Sequence, residues 1–195
     1  MPYIAPGKVV LGIDEVGRGA WAGPLLVAAV VFREAAPEGI TDSKLLSAKK
    51  RLILSRHIKL AAAGIGFGWV RVPEIDEIGL GPALRLAARR AVTAAGCAFD
   101  VVIIDGTINF LPEYGAVTLP KADLRVPEVG AASIVAKVAR DAYMQRLAGF
   151  ENRYGFERHV GYGTPGHIAM LAQHGPSIHH RRCFRPVQDL YRVNG

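Results

Sequence analysis

Leu11-Gly12-Ile13-Asp14-Glu15-Val16-Gly17-Arg18-Gly19-Ala20-Trp21-Ala22-Gly23-Pro24 joins an apolar run, two adjacent carboxylates and a glycine-rich turn. A second apolar run, Leu25 to Phe32, leads away from it. Strand, glycine turn and strand make the pattern of a hairpin. A structural hairpin has no need of an Asp-Glu pair at the end of a buried strand, because burying carboxylates is costly unless something pairs them. Clustered hard oxygen donors suit Mg²⁺ or Mn²⁺. Taken alone, the pair would serve as a solvated strand end, with Gly17 and Gly19 supplying the turn. The rest of the chain decides between these readings.

The 195 residues fit one domain, or one domain with a small appendage, and half of them are hydrophobic, enough for a core. A formal charge of +7 points to a polyanionic partner. Cys97 and Cys183 form no CxxC pair. That excludes a disulfide framework or thiolate zinc site as the organising principle and fits a reducing cytoplasm. Met1 to Lys8 holds no apolar signal core, and Leu25 to Phe32 is too short to span a bilayer. No internal repeat or low-complexity segment stands out. The expectation is a cytoplasmic protein without membrane attachment, with a monomer as the default.

Val9 to Asp14 reads as a buried strand and Leu25 to Arg33 as its partner. A loop leads to Asp42-Ser43-Lys44, where Ser43 and Lys44 are placed to touch a phosphate. Ser47 caps a helix to about Ala62, with a basic surface. Gly64 to Val72 reads as a third strand, Glu74 to Glu77 as a turn of helix, and Pro82 to Ala95 as a helix closed by Gly96. Asp100 to Ile104 is a further buried strand ending in Asp105. Ala116 to Leu119 is a short strand ahead of Asp123. A long helix opens at Pro127 and runs to about Leu147, with Ala131, Ile134, Val135, Val138 and Ala142 as its apolar face.

From Glu151 onward the composition changes. His159, His167, His174, His179 and His180 lie here, with six arginines against three acids. Residues 1–150 are therefore read as the catalytic domain and 151–195 as a small basic helical segment packed on it. The histidine spacing matches no zinc-finger pattern, so packing, capping or phosphate contacts are the expected roles.

Asp14, Glu15, Asp105 and Asp123 all fall at or after strand ends. In an open α/β sheet, neighbouring strand ends bring such groups into one crevice. Four carboxylates so placed repel one another unless divalent ions sit between them. Two such ions would make a site for in-line displacement at a phosphodiester. With the basic charge, the substrate expected is a nucleic acid.

The chain resembles the type 2 ribonucleases H, specifically the bacterial ribonuclease HII family. The resemblance runs from Gly12 to about Pro186. It is carried, in order, by Asp14-Glu15-Val16-Gly17-Arg18-Gly19 with Ala22-Gly23-Pro24, Asp42-Ser43-Lys44, Ile104-Asp105-Gly106 and Lys121-Ala122-Asp123. Ala131 to Asp141, Gly161-Tyr162-Gly163-Thr164 and the stretch from His180-Arg181 to Phe184-Arg185-Pro186 complete it. The resemblance implies an α/β RNase H-like fold, a five-stranded mixed sheet flanked by helices with a C-terminal helical segment. It implies endonucleolytic cleavage of RNA in RNA–DNA hybrids and incision 5′ to ribonucleotides embedded in duplex DNA, leaving 3′-hydroxyl and 5′-phosphate ends. It makes Asp14, Glu15, Asp105 and Asp123 the catalytic metal ligands, for Mg²⁺ or Mn²⁺, two during catalysis.

The resemblance also gives Gly17, Arg18 and Gly19 the reading of the RNA-to-DNA junction, and Tyr162 the packing against the deoxyribose beyond it. The chemistry suits those roles. Glycines let backbone amides reach a 2′-hydroxyl, and Arg18 can fork onto a phosphate. Asp141, four residues after Lys137, is read as structural. Thr41, Gly79 and Thr107 depart from residues common in the family, and none removes a candidate ligand. Two alternatives are a type 3 ribonuclease H and a non-catalytic hybrid-binding module. Arg18 and the short segment before the first strand speak against the former, the intact acids against the latter.

Overall fold

The computed structural model describes residues 7–193, with side chains to 190. The reading of Met1 to Lys8 as lacking a signal core lies outside the described residues except for Gly7 and Lys8. Five strands form one mixed sheet: β1 (Val10–Val16), β2 (Leu25–Val31), β3 (Gly64–Val70), β4 (Val101–Asp105) and β5 (Val117–Leu119). Their order is β3-β2-β1-β4-β5. β1 pairs antiparallel with β2 and parallel with β4. β1 thus runs through the middle of the sheet, and its carboxyl end opens beside that of β4.

β2 shows why the sheet is covered on both sides. Leu25, Val27, Ala29 and Val31 pack into one apolar cluster with helix α3 (Leu80–Ala95), and Leu26, Ala28 and Val30 into another with α1 (Ala48–Ala61) and α4 (Pro127–Phe150). The period of two sends alternate residues to opposite cores. Each buried Leu or Val stabilises the fold by about 1.5–3 kcal/mol. Ser47 caps α1, its hydroxyl accepting from the Lys50 amide at 3.3 Å, a bond worth about 1 kcal/mol. Gly96 closes α3 in the left-handed conformation at φ +63°.

Helix α4 sits closest to the sheet. A Cβ on Gly12 would lie 2.2 Å from the Glu128 carbonyl carbon, so only glycine admits the helix there. The expected apolar face is half right. Ala131, Ile134 and Val135 are buried, whereas Val138 and Ala142 line a groove against α1. Arg140, off that stripe, is fully buried. β1 also runs to Val16, two residues past the expected end at Asp14, so Glu15 too lies within the strand. Helix α2 (Val72–Ile78) extends the expected single turn of helix on both sides.

After Glu151 come α5 (Phe156–His159), α6 (Pro165–His174) and α7 (Arg185–Val193). The segments between these helices dock on the loop after β1. Trp21 N donates to Gly161 O at 2.8 Å, Gly23 N to His179 O at 2.9 Å and Arg181 N to Trp21 O at 2.7 Å. Beneath them lies an apolar cluster of Ala22, Met144, Leu147, Tyr154, Phe156 and Leu171.

The histidines at this junction are packing groups. The Ser177 amide donates to His180 Nδ1 at 2.9 Å, which leaves His180 Nε2–H to donate to His167 Nε2 at 3.0 Å. His167 Nδ1–H then donates to the Tyr162 carbonyl at 3.0 Å, and His159 stacks on the His167 ring at 4.3 Å. Burial holds His167 down to about 4, with the charge of His159 adding to it. It holds His180 down to about 3, helped by His167, His179 and His159. Both rings are neutral in the fold and would take up protons in the unfolded chain below about pH 6.5. Their stabilising contribution is therefore complete above that pH and declines as the pH falls toward 4, by about 1 kcal/mol per ring per pH unit. In histidine-labelled NMR spectra at pH 5.5, His167 and His180 should keep the signals of neutral imidazole. A midpoint near 6.5 for either ring would contradict this packing.

Candidate active site

The strand ends explain how distant acids meet. Ile13 pairs with Ile104 in the parallel β1–β4 ladder, so Asp14 and Asp105 follow on adjacent strands. Asp105 pairs with Leu119 at the end of β5, and a 3₁₀ turn over Ala122–Leu124 then delivers Asp123. The Ala122 amide donates to Asp105 Oδ1 at 2.7 Å, locking that turn to the end of β4. One cleft of about 350 Å³ is lined by Asp14, Glu15, Asp105 and Asp123 together with Gly17, Arg18, Gly19, Ser43, Lys44 and Tyr162. Every site residue expected from sequence reaches it.

Burial pushes the Asp14 carboxyl up to about 8, and the charges of Glu15 and Asp105 push the same way, while the Ser133 hydroxyl opposes them. Burial also raises Glu15, with Arg18 acting against it and Asp105 with it. Asp123 is raised by burial, then by Asp105 and Asp42. Such a set of crowded carboxylates, all oxygen donors, fits a hard divalent cation. Among the described residues no three acids, histidines or cysteines form a closed cage around a single point. A Mg²⁺-type site has no need of one, because such an ion keeps several waters and takes phosphate oxygens as ligands.

Other residues differ from expectation in detail. The Arg18 guanidinium, though exposed, lies 3.6 Å from Glu15 Oε1, so it faces an acid of the cleft. The Tyr162 hydroxyl accepts from the Gly17 amide at 3.2 Å, which joins the glycine loop directly to the aromatic ring. Ser43 is buried and accepts a hydrogen bond from the Ser133 hydroxyl at 3.0 Å, while Lys44 stands exposed at the rim. Lys137 pairs with Asp141 at 2.9 Å, the structural contact expected for Asp141, yet Lys137 also lines the cleft.

Sequence reasoning gave no role in the site to Ser133, Lys137, Arg140 or Arg181. The first three stand in the Ala131 to Asp141 motif at spacings of four and three residues on α4, and that spacing was the available signal. Arg140 and Arg181 lie directly behind the glycine loop. Burial pushes both guanidiniums down, Arg181 to about 9 with the charge of Arg140 adding to the effect.

A mixed sheet with acids gathered at the carboxyl ends of its central strands, beside a basic loop, defines the class: a nucleic-acid phosphodiester hydrolase of the RNase H-like fold. The family model for ribonuclease HII matches residues 11–187. A ribonuclease HII of Burkholderia pseudomallei is 42% identical over 192 residues, covering 98% of this chain and 90% of its relative. Among solved structures, the RNase HII of Archaeoglobus fulgidus, in its complex with PCNA, has a TM-score of 0.76 at 25% identity, covering 91% of this chain and 95% of that one. Bst-RNase HIII in complex with Mn²⁺ has a TM-score of 0.72 at 19% identity, covering 96% of this chain and 70% of that one, a likeness of fold. The chain belongs to the ribonuclease HII family. It is a hydrolase, an endonuclease of the ribonuclease H kind.

Gly17 has φ +81°, and a Cβ on it would lie 2.1 Å from Arg140 Nε. Gly17→Ala should cost about 1–3 kcal/mol through backbone strain alone, read as a lower urea midpoint. An unchanged midpoint would contradict the close packing of loop and guanidinium.

Proposed function

We propose that this ribonuclease HII works as a divalent-metal enzyme in which Asp14, Glu15, Asp105 and Asp123 hold two Mg²⁺ or Mn²⁺ ions and Gly17, Arg18, Gly19 and Tyr162 read the substrate. The observation that carries this reading is that acids and readers line one cleft. The family's activity, endonucleolytic cleavage of RNA in RNA–DNA hybrids and excision of ribonucleotides from DNA, is this chain's activity. The Mn²⁺ in Bst-RNase HIII supports a metal of this type. The substrate meets no part of a second chain in this scheme, so a monomer suffices. The paired-cysteine-poor composition fits work in a reducing cytoplasm.

When bound, the cations supply Lewis acidity to the scissile phosphate and make the attacking water more acidic. The protein does the rest. Water attacks phosphorus in line, the P–O3′ bond breaks, and the products carry a 3′-hydroxyl and a 5′-phosphate. Asp14 and Glu15, on the rigid central strand, and Asp105, fixed by the Ala122 amide, keep the donor set in place at little entropic cost. Glu15 and Arg18 pair at 3.6 Å. An incoming phosphate competes for that guanidinium, which frees Glu15 as a ligand when the backbone docks.

Gly19 stands exposed beside the cleft, and the Gly17 amide, which donates to the Tyr162 hydroxyl, ties the ring to the backbone that meets a 2′-hydroxyl, a group that both donates and accepts. A tyrosine ring packs on a sugar that lacks that hydroxyl and disfavours one that has it. Ser43, tied to Ser133, supports the cleft from within, and Lys44 at the rim meets a phosphate.

A DNA duplex holding one ribonucleotide should be cut once, on its 5′ side, with Mg²⁺ and not with EDTA. Asp105→Asn should lower turnover by about a thousandfold or more while duplex binding persists. Cutting by Asp105→Asn at near the normal rate would overturn the ligand set.

Arg18→Ala and Tyr162→Ala should lower cleavage of the single-ribonucleotide duplex by about tenfold more than cleavage of a long RNA–DNA hybrid, since each reader contact is worth on the order of 1–2 kcal/mol. Equal losses on the two substrates would refute the reader assignment.

A further inference from the structure

Arg140 and Arg181 are the two largest fully buried side chains, each 0% exposed. Neither pairs with a carboxylate among the described residues. Their donors go to backbone carbonyls. Arg140 Nε donates to Pro24 O at 2.9 Å, Nη1 to Val160 O at 2.9 Å and Nη2 to Ala22 O at 3.2 Å. Arg181 Nε and Nη2 donate to Gly23 O at 3.0 and 2.9 Å, and Nη1 to Arg18 O at 3.0 Å. An apolar side chain of like volume would fill either space without the desolvation cost of a charge. What the guanidinium adds is a planar fork of donors in fixed directions.

The carbonyls so collected belong to two loops. Arg18, Ala22, Gly23 and Pro24 belong to the loop after β1, and Val160 to the turn that carries Tyr162. That turn is held in an unfavourable shape. Val160, a β-branched residue, sits at φ +44°, and Gly161 follows at φ +86°. A Cβ on Gly161 would lie 2.2 Å from Ala22 O, so the turn is wedged against the loop. The Arg140 Cζ lies 5.6 Å from the centroid of the Tyr162 ring, and the ring's hydroxyl returns to the Gly17 amide at 3.2 Å. Arg140 therefore touches the glycine loop, the turn and the tyrosine at once.

We propose that Arg140, braced by Arg181, is a positioning residue for selectivity: it sets the spacing between the Gly17-Arg18-Gly19 amides and the Tyr162 ring, and so the enzyme's preference for a ribonucleotide followed by DNA. This rests on the reading of those residues as the junction reader. The acids stand on β1, β4 and the turn after β5, and these hydrogen bonds do not hold them. Selectivity, rather than hydrolysis, is what the fork controls. Lysine has one ammonium for three carbonyls and cannot reproduce it.

The test compares kcat/KM on a single-ribonucleotide duplex with that on a long RNA–DNA hybrid. Arg140→Lys should lower the ratio of the two about tenfold while hybrid cleavage stays within about threefold of the parent. Val160→Gly removes the strain that the fork restrains. Added to Arg140→Lys, it should return at least threefold of the lost ratio. If Arg140→Lys does not fold, Arg181→Lys and the Arg140→Lys/Val160→Gly pair read the same ratio. Equal losses on both substrates, an unchanged ratio, or no recovery with Val160→Gly would overturn the proposal. Tyr162→Ala is measured alongside. If it too leaves the ratio unchanged, the junction-reader assignment has failed; if it lowers the ratio and the arginine variants do not, only the positioning role has failed.

Discussion

Two adjacent carboxylates at the end of the central strand impose the constraint on which the rest of the molecule depends. Asp14 and Glu15 are carried into a partly desolvated cleft by the strand that has neighbours on both sides. A strand there is rigid, so the acids cannot swing away to water as they would on a loop. Helix α4 closes over the same strand end because Gly12 admits its first turn. That approach brings Ser133 and Lys137 into the cleft. The packing that stabilises the sheet and the burial that raises Asp14 to about 8 have one source. A site built this way keeps its charge only when a cation shares it.

Much of this was legible in the chain. β2 is an unbroken apolar run because it is covered on both faces, and such a run is hard to mistake. Ser47, Gly96 and Pro127 marked helix ends through backbone chemistry that acts locally. The convergence of Asp14, Asp105 and Asp123 followed from the rule that open sheets gather their ligands at strand ends. What the chain could not reveal was set by contacts between distant segments. Periodicity put Val138 and Ala142 in the core, yet α1 leaves a groove beside them, and Arg140 is buried instead. No local pattern predicts a buried guanidinium, since two of its three carbonyl partners, Pro24 and Ala22, lie more than a hundred residues away.

The histidine-rich end makes the same point in another way. Its composition suggested metal or phosphate, and its spacing argued against zinc. The fold uses His167 and His180 as neutral hydrogen-bonding wedges between α5, α6 and the loop after β1, with His159 stacked on the His167 ring. A histidine suits this because a neutral ring offers one donor and one acceptor on opposite sides. The His167–His180 contact ends on the Tyr162 carbonyl, so even this packing bears on the cleft.

The cleft therefore has two walls of opposite electrostatic character. On one, four carboxylates stand with too little water to be comfortable; on the other, Arg18 and Lys44 reach the cleft, with Arg140 and Arg181 buried behind the glycine loop among backbone carbonyls and the rings of Tyr162 and Phe184. The walls do not neutralise each other, because the sheet holds them apart and Glu15 to Arg18, at 3.6 Å, is the ion pair that crosses. A polyanion alone would be repelled by the acids, and a cation alone would leave Arg18 and Lys44 without a phosphate. A phosphodiester backbone together with divalent ions satisfies both walls at once, which makes binding of the two mutually dependent. A fold that stores both imbalances side by side favours a substrate that brings phosphate and metal to the same place.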